Sequence, residues 1–362
     1  MTTAYQIAAN GKIYTVVDDF ASVYRALITG AVSDEVLGEL AAPDFEVRID
    51  RADLISKTTA HGLYAVTGYS EKSFPNLSAT AYTVDLVLAA SGFRDQPLTV
   101  TIPKNASFPV NAPAAGLRRL PVRIQGRVVT DTAQRLPIAG ARVISVDDPS
   151  APPPPQHTVA LRSPLYMAHP AGATVREIAM AGFGSATLAE DAAAGSRMLN
   201  LSDRAGLVVN SILRFSNGTE ALVEYGIVDS LGPGAGAGQV FLRQSLNRSY
   251  FSGAATTVQF LNPGAAGTTG TLQTDADAGD GVLIASQLLI GNTVEVDPGT
   301  AATEYHEIGA LTGTDGYYSL DGVCRVGEIF LEASHATFTS LTEDWSVQYD
   351  KAVNVVDFRL HT

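Results

Sequence analysis

The chain has 362 residues, of which 46% are hydrophobic and 17% are charged, with a formal net charge of −13. Its length exceeds what one hydrophobic core usually organises, so we expect about two to four domains, and its apolar content excludes a disordered polymer. The acidic balance, with no basic cluster longer than Arg118–Arg119, argues against a nucleic-acid partner, because phosphate binding needs clustered Lys and Arg.

Composition also favours an all-β protein. The 33 glycines and 18 prolines suit short strands joined by turns better than long helices. Residues 1–20 lack the basic start and continuous apolar stretch of a secretory signal, and no apolar run is long enough to span a bilayer. We therefore expect a chain that is made in the cytoplasm without membrane insertion.

The first candidate element is a helix between Phe20 and Leu40. Val23, Leu27 and Ile28 would share one face of that helix, although Gly30 interrupts it. Downstream, the segments 45–49 and 84–88 alternate apolar and polar residues, which is the period of half-buried strands. The sequence thus predicts an N-terminal β-sandwich over residues 1–110.

A second set of strands is split between two distant segments. Residues 123–147 contain strand-like apolar positions around a turn at Pro137–Gly140, and residues 312–338 contain a turn at Asp315–Gly316 followed by an alternating strand. Each segment alone has too few strands to bury a core. We expect the two segments to pair in one sandwich, made of residues 120–148 plus 312–362.

The residues of this split sandwich resemble a known family. GRVVTDTAQRLPIAGARVISVD followed by TDGYYSLDGVCRVGEIFLEAS is similar to the carboxypeptidase regulatory-like domain, a transthyretin-like β-sandwich; residues 45–102 resemble it through HGLYAVTG and LVLAASGF. The family runs these pieces almost together, whereas about 165 residues separate them here, which implies a large insertion. The resemblance implies no catalytic residue, because the peptidase zinc site belongs to a different domain.

The insertion, residues 156–311, is an internal duplication. TVALRSPLYMAHPAGATV resembles QVFLRQSLNRSYFSGAATTV at an offset of 81, with Leu161 and Arg162 matching Leu242 and Arg243. ATLAEDAAAG matches GTLQTDADAG at an offset of 84, and the Glu-Tyr pair at 224–225 recurs at 304–305. We expect two β units with one strand order, around 158–238 and 239–311, in which both leucines are buried and both arginines face outward. The repeated patterns are also similar to structural proteins of phage tails and contractile particles.

Few residues suggest chemistry. Asp275, Asp277 and Asp280 lie close enough in sequence to hold a calcium ion, but they depart from the EF-hand pattern, and an acidic solvated turn is the preferred interpretation. Glu304 and His306 could imitate an acid/base pair on one strand face, but an edge strand with both residues facing water is preferred.

The remaining candidates are weaker. Asp18–Asp19 and Asp147–Asp148 are interpreted as turn residues rather than a glycosidase pair, and Cys324 as a small buried residue that leaves no intramolecular disulfide. Scattered aromatic residues could stack on sugars but more commonly pack in cores; they are Tyr64, Tyr69, Phe74, Tyr82 and Trp345. The six histidines are dispersed and show no metal-ligand spacing; they are His61, His157, His169, His306, His335 and His361.

These patterns lead to one leading hypothesis and two alternatives. The leading hypothesis is a non-enzymatic structural component of a phage or phage-tail-like particle, of tail, baseplate, collar or fibre-adaptor type, assembled in the cytoplasm and located in the virion or an extracellular particle. Its partners would be other subunits, including copies of itself, and no catalytic, cofactor or metal residue is predicted. The alternatives are a surface or exported carbohydrate- or protein-binding module and, less favoured, an enzyme built in the insertion.

Overall fold

The computed structural model describes residues 3–9, 12–18, 24–217 and 223–362, with only the backbone described for residues 3–9, 12–18 and 254–255. Nearly all regular secondary structure in the described residues is β-strand, as the composition predicts, and the chain divides into two compact units, Met1–Leu120 and Pro121–Thr362. Within the described ranges, no helix is long and apolar enough to cross a membrane.

The described part of the first unit holds ten strands and one helical turn. They are β1 (Thr3–Ala9), β2 (Lys12–Asp18), β3 (Tyr24–Asp34), β4 (Glu46–Ile49), β5 (Ile55–Thr58), β6 (Leu63–Tyr69), α1 (Ser70–Ser73), β7 (Tyr82–Ala89), β8 (Gln96–Ile102), β9 (Val110–Asn111) and β10 (Ala115–Leu117). β1 and β2 form an antiparallel hairpin. A sheet in the order β10-β3-β6-β5, with β9 also on β3, shares one core with the sheet β4-β7-β8. The first unit is therefore a β-sandwich.

The prediction of a helix between Phe20 and Leu40 is wrong for residues 24–40, the part of this stretch that the structure describes. Residues 24–34 form the central strand β3, which pairs with β6 and β10, and a bulge between Ala26 and Ile28 turns both Leu27 and Ile28 into the core. Two consecutive buried residues imitate one face of a helix in the sequence. Gly30 is required because a side chain there would collide with the ring of Tyr64.

The described part of the second unit contains eighteen strands. They are β11 (Val122–Thr130), β12 (Arg142–Val146), β13 (His157–Ala160), β14 (Thr174–Leu188), β15 (Met198–Leu201), β16 (Ile212–Asn217), β17 (Val223–Leu231), β18 (Gly238–Leu242), β19 (Gly253–Thr271), β20 (Val282–Ala285), β21 (Thr293–Val296), β22 (Glu304–Glu307), β23 (Ala310–Leu311), β24 (Tyr317–Val323), β25 (Glu328–His335), β26 (Phe338–Ser346), β27 (Val353–Val355) and β28 (Phe358–Leu360).

The two distant segments that the sequence joins do pair with each other. β11 lies between β24 and β27, with β28 also on β11, and the second sheet has the order β23-β12-β25-β26. Ile124 stands opposite Leu320, and Val143 stands opposite Ala333. The apolar faces of both sheets share one core, so residues separated by nearly the whole insertion complete one sandwich.

Between these segments the chain forms two lobes joined by a ribbon. We call residues 157–177 with 270–311 lobe A, residues 185–260 lobe B, and the middle of the β14–β19 pair, residues 178–184 with 261–269, the ribbon. Lobe B has its own apolar core, the core of lobe A also includes Ile144 of β12, and a third apolar cluster, which includes Tyr225 and Tyr305, lies between the lobes.

The lobes repeat one pattern of strand pairing. β13–β20, β21–β22 and β14–β21 in lobe A correspond to β18–β15, β16–β17 and β19–β16 in lobe B. Leu161 and Leu242 are both buried, as the repeat predicts. The sequence repeats do not fold one per lobe, however. Lobe A combines the start of the first repeat with the end of the second, so lobe B is nested inside it.

A buried arginine organises the glycine-rich loop of lobe B. GPGAGAG, residues 232–238, joins β17 to β18, and the guanidinium group of Arg204 donates hydrogen bonds of 2.8–3.3 Å to five backbone carbonyls in or beside this loop. The loop curls around the cation. At Gly238 a side chain would approach the guanidinium carbon to 3.0 Å, which explains a glycine at that position.

Candidate functional site

The glutamates of the repeated Glu-Tyr pair bind backbone amides in equivalent places. In lobe A, Glu304 accepts hydrogen bonds from the amides of Tyr166 and Met167, at 2.7 and 3.2 Å. In lobe B, Glu224 accepts them from the amides of residues 247 and 248, at 2.9 and 3.2 Å. Both carboxylates are buried, and each holds the loop that follows the V-x-L-R strand. The repetition of this Glu in the sequence is therefore structural.

A second carboxylate that recurs in both repeats belongs to Asp275 of the acidic cluster, which corresponds to Asp191. Asp275 accepts a hydrogen bond from the amide of Ala171 at 2.8 Å, and Asp191 does the same for Ser252 at 2.7 Å. The other two aspartates of the cluster pair with Arg325. Asp280 is buried, so the preferred interpretation of a solvated turn is wrong for that residue. The described residues contain no group of three or more side chains placed to hold a metal ion.

Two histidines converge on Glu304. The Nε2 atom of His169 lies 2.5 Å from one carboxylate oxygen, and the Nε2 atom of His306 lies 2.9 Å from the other. Burial alone would raise the pKa of Glu304, but the hydrogen bonds from His169, His306 and the amide of Tyr166 lower it to about 2. The expectation that Glu304 and His306 face water is wrong, because loop 163–169 covers both of them.

The side chains around His306 are spaced like those of a catalytic triad, but they do not reach the cleft described below. Ser163 Oγ lies 3.0 Å from His306 Nδ1, and His306 Nε2 contacts Glu304. All three side chains are buried, and none lines the cleft described below. A nucleophile must reach a substrate. We interpret this set as a hydrogen-bond network that fixes lobe A.

Arg162 differs from its predicted outward position. It is 2% exposed, and its guanidinium group pairs with Glu307 at 2.5 Å, while Arg214 of lobe B pairs with the other oxygen of the same carboxylate at 2.7 Å. A buried arginine is tolerated where a carboxylate compensates its charge. Its counterpart Arg243 is half-buried and donates a hydrogen bond to Asn210 at 2.6 Å. Glu307 thus joins the two lobes electrostatically.

An open cleft of about 800 Å³ lies between the lobes, beside Glu307. The ribbon, both lobes and the sandwich contribute to its walls, through Met180, Ala265, Tyr225, Leu311 and Arg142 among others. This volume lies within the range of small-molecule sites, which span roughly 300–1,000 Å³. The sequence gives no signal for the cleft, because its walls come from segments separated by up to about 170 residues.

The other candidates occupy structural positions. Asp147 contacts His157 at 2.9 Å and Asp148 accepts a hydrogen bond from Ser150, so the two carboxylates serve different partners after β12. Cys324 is buried. Of the aromatic residues, Tyr64 and Phe74 belong to the core of the first unit, as the preferred interpretation holds, whereas Tyr69 is exposed, so the interpretation is wrong for that residue. The first Asp-Asp pair extends beyond the described residues.

Comparison with known proteins adds two distant structural likenesses. No family model and no curated protein matches the chain. The major pilin subunit of Bacillus cereus aligns at 7% identity and a TM-score of 0.22, over 94% of this chain and 100% of the pilin. The TIE protein of Bacillus anthracis aligns at 9% identity and a TM-score of 0.19, over 99% of this chain and 58% of that protein. Scores this low carry no argument about fold or function, and the resemblances seen in the sequence stay predictions.

Proposed function

We propose that the chain is a non-enzymatic structural component of a multi-subunit particle of the phage-tail type, in a tail, baseplate, collar or fibre-adaptor position. The observation that carries the proposal is a pair of exposed apolar residues in corresponding loops of the two lobes. Val209, in the loop before β16, is 53% exposed, and Ile290, in the loop before β21, is 52% exposed. An aliphatic side chain gains nothing from exposure to water, so its recurrence at both equivalent positions supports a surface that other subunits cover.

Lobe B supplies further exposed apolar side chains. Val208 and Phe251 are exposed in its loops, and Phe183 is exposed where the ribbon enters the lobe, beside Gly206. Sheets that end in unpaired edges also gain from neighbouring chains. The proposed partners are other subunits, including further copies of this chain.

The test is incorporation into particles from cells that carry the gene. We expect antibody labelling to place the wild-type chain on particles, and the double variant Val209→Lys with Ile290→Lys to fold normally but stay in the unassembled fraction. The matched control is Ala133→Lys with Gln134→Lys, two exposed positions in a turn of the sandwich. Normal incorporation of the first pair, or unaltered particles after deletion of the gene, contradicts the proposal.

The second candidate is a surface or exported carbohydrate- or protein-binding module. The cleft between the lobes favours it, because the cleft combines apolar and charged side chains in one concave site. A wild-type chain found only as a free secreted monomer that binds a glycan supports this candidate over the particle subunit.

A further inference from the structure

The loop between β12 and β13 is longer than the connection requires. Asp147 Oδ2, at its start, lies 2.9 Å from His157 Nδ1, at its end. Beside them, the hydroxyl of Ser145 donates a hydrogen bond to the carbonyl of Thr158 at 2.8 Å. Strand ends this close are commonly joined by about two to five residues. Residues 148–156 instead make an excursion that begins and ends at one place, and loops of this kind frequently carry function.

The tip of this loop is a proline run in an extended conformation. Pro152, Pro153 and Pro155 are exposed. Each proline ring fixes its own φ angle, and each proline confines the residue before it to extended conformations. The run is therefore close to polyproline II geometry before it meets a partner, and little conformational entropy is lost on binding. Among the described residues, none donates a hydrogen bond to a carbonyl of residues 151–155, so these acceptors are available to a partner.

The first unit carries a pair of exposed tyrosines on the outer side of its larger sheet. The ring centroids of Tyr24 in β3 and Tyr69 in β6 lie 5.2 Å apart in an edge-to-face arrangement, and the two residues are 45% and 42% exposed. No other two exposed aromatic residues of the described ranges contact each other. Exposed aromatic rings that lie side by side are the kind of surface on which polyproline segments bind.

The rest of this surface is apolar and shallow. We call the outer side of β3, β5 and β6 the tyrosine face. Ile55 and Leu63 on this face are each 55% exposed. Ala65 and Thr67 lie between Leu63 and Tyr69 along β6, so small side chains separate the two apolar ends of the face. A narrow apolar ligand such as a proline run can cover these side chains and remove them from water.

The loop and the tyrosine face carry opposite charges. Among the strand residues of β3, β5 and β6 that point to this face, Lys57 is the one that carries a charge, and no described carboxylate pairs with it. Asp148, which precedes the proline run, accepts hydrogen bonds from the amide and hydroxyl of Ser150 at 2.8 and 2.7 Å, and no described cation pairs with it. Opposite charges at the rim of a contact favour encounter in the correct orientation.

We propose that the proline run of one copy of this chain, residues 152–155, binds the tyrosine face of a second copy. The inference rests on the proposed function, in which copies of the chain assemble, and it names the contact between them. The loop belongs to the second unit and the face to the first, so the contact joins two different surfaces. Each bound pair retains one free loop and one free face, and the contact therefore propagates into a ring or a filament.

The first experiment measures binding of a synthetic peptide of residues 147–157 to the full-length chain. We expect saturable binding, which Tyr24→Ala with Tyr69→Ala should weaken about tenfold or more, because the rings that contact the prolines are lost. The matched control, Leu37→Ala, removes an exposed apolar side chain from the turn after β3 and should bind as wild type does.

Changes in the peptide test the other partner. Pro153→Ala with Pro155→Ala should weaken binding to a similar extent, whereas Pro149→Ala, outside the run, should not. The absence of binding, or equal binding to the wild-type chain and the tyrosine variant, overturns the inference. So does an oligosaccharide that needs both tyrosines for binding when the peptide does not bind.

A mixing experiment distinguishes a contact between copies from a contact within one chain. The tyrosine variant and a chain with Pro153→Ala and Pro155→Ala should each sediment as a monomer at a concentration at which the wild-type chain associates. Their equimolar mixture should form a dimer and nothing larger, because one variant supplies the loop and the other supplies the face. Thermal unfolding checks that both variants fold, as the exposure of the altered residues leads us to expect.

Three results of the mixing experiment overturn the inference: association of either variant alone, a mixture that stays monomeric while the wild-type chain associates, and a wild-type chain that stays monomeric. Normal incorporation of both variants into particles would leave the proposed function standing while this inference fails.

Discussion

Glu304 and Glu224 occupy the same position in two repeats, yet their surroundings shift their pKa values in opposite directions. Burial raises the pKa of Glu224, and the hydrogen bonds from Asn247 and Tyr166 only partly offset it. Glu304 gains two histidine partners in addition to its backbone donors, and its pKa falls to about 2. Sequence comparison identifies the repeated glutamate but not this difference, because His169 lies 135 residues away from its partner.

We predict that Glu304→Gln destabilises the second unit more than Glu224→Gln does. Replacing Glu304 leaves His169, His306 and two amides facing a neutral group with one acceptor, at a cost of about 3–5 kcal/mol. Replacing Glu224 should cost about 1–3 kcal/mol. Urea unfolding followed by the fluorescence of Trp345, the one tryptophan of the chain, reports on this unit. Equal losses in both variants would contradict the assigned network.

The opposite pKa shifts of Glu304 and Glu224 also predict how the stability of the fold depends on pH, and the same two variants test this prediction. The folded pKa of Glu304 lies below its ordinary value of 4.5, so its contribution is fully present above pH 4.5 and is lost as the pH falls towards 2. Glu304→Gln should remove this acid loss. Glu224 has a raised pKa, so its ionisation weakens the fold as the pH rises through that value, and Glu224→Gln should remove the loss on that side. Unfolding curves measured from pH 2 to pH 7 test both directions, and an unchanged acid loss in Glu304→Gln counts against the assignment.

At the level of elements, apolar alternation predicts strands such as β4 and β7, and it fails where a bulge occurs or where a distant carboxylate compensates a buried charge. β4 and β7 follow the predicted period of two, whereas the bulge in β3 places Leu27 and Ile28 side by side in the core. Arg162 breaks the expected alternation because Glu307, which compensates its charge, comes from β22. Local pattern cannot report a partner that lies 145 residues away.

Arg204 provides a prediction for the glycine-rich loop. Arg204→Met removes the donors that hold carbonyls of residues 232–239, and the alanines of GPGAGAG should then become accessible to elastase. We expect one early cleavage in this loop in the variant and none in the wild-type chain. Arg243→Met, which removes a half-buried arginine of the same lobe, serves as the control. Resistance of Arg204→Met to cleavage would mean that the loop does not depend on the cation.

At the level of the whole molecule, the sequence predicts the split sandwich and the duplication but not the nesting of one lobe in the other. A sequence repeat shows which strands are equivalent. The same equivalence holds whether each repeat forms one lobe or each lobe combines strands from both repeats. The choice depends on β14 and β19, which pair along nearly their whole lengths and carry the chain between the lobes. Pairing between strands separated by about 80 residues follows from tertiary packing rather than from local propensity.

Nesting predicts that lobe B folds when separated from the rest of the chain. Every residue of its core lies between Ala186 and Phe260, and both ends of this segment leave through neighbouring strands, since Ser185 stands opposite Gln259. A fragment of residues 185–260 should therefore show a cooperative thermal transition and dispersed amide signals in an NMR spectrum. It should be less stable than the intact unit, because Tyr225 and Ile212 lose the apolar contacts of the cluster between the lobes.

The control is a fragment of residues 158–238, one complete sequence repeat, which divides both cores and should remain unfolded. A folded control beside an unfolded lobe B fragment would show that the repeat, rather than the lobe, is the folding unit.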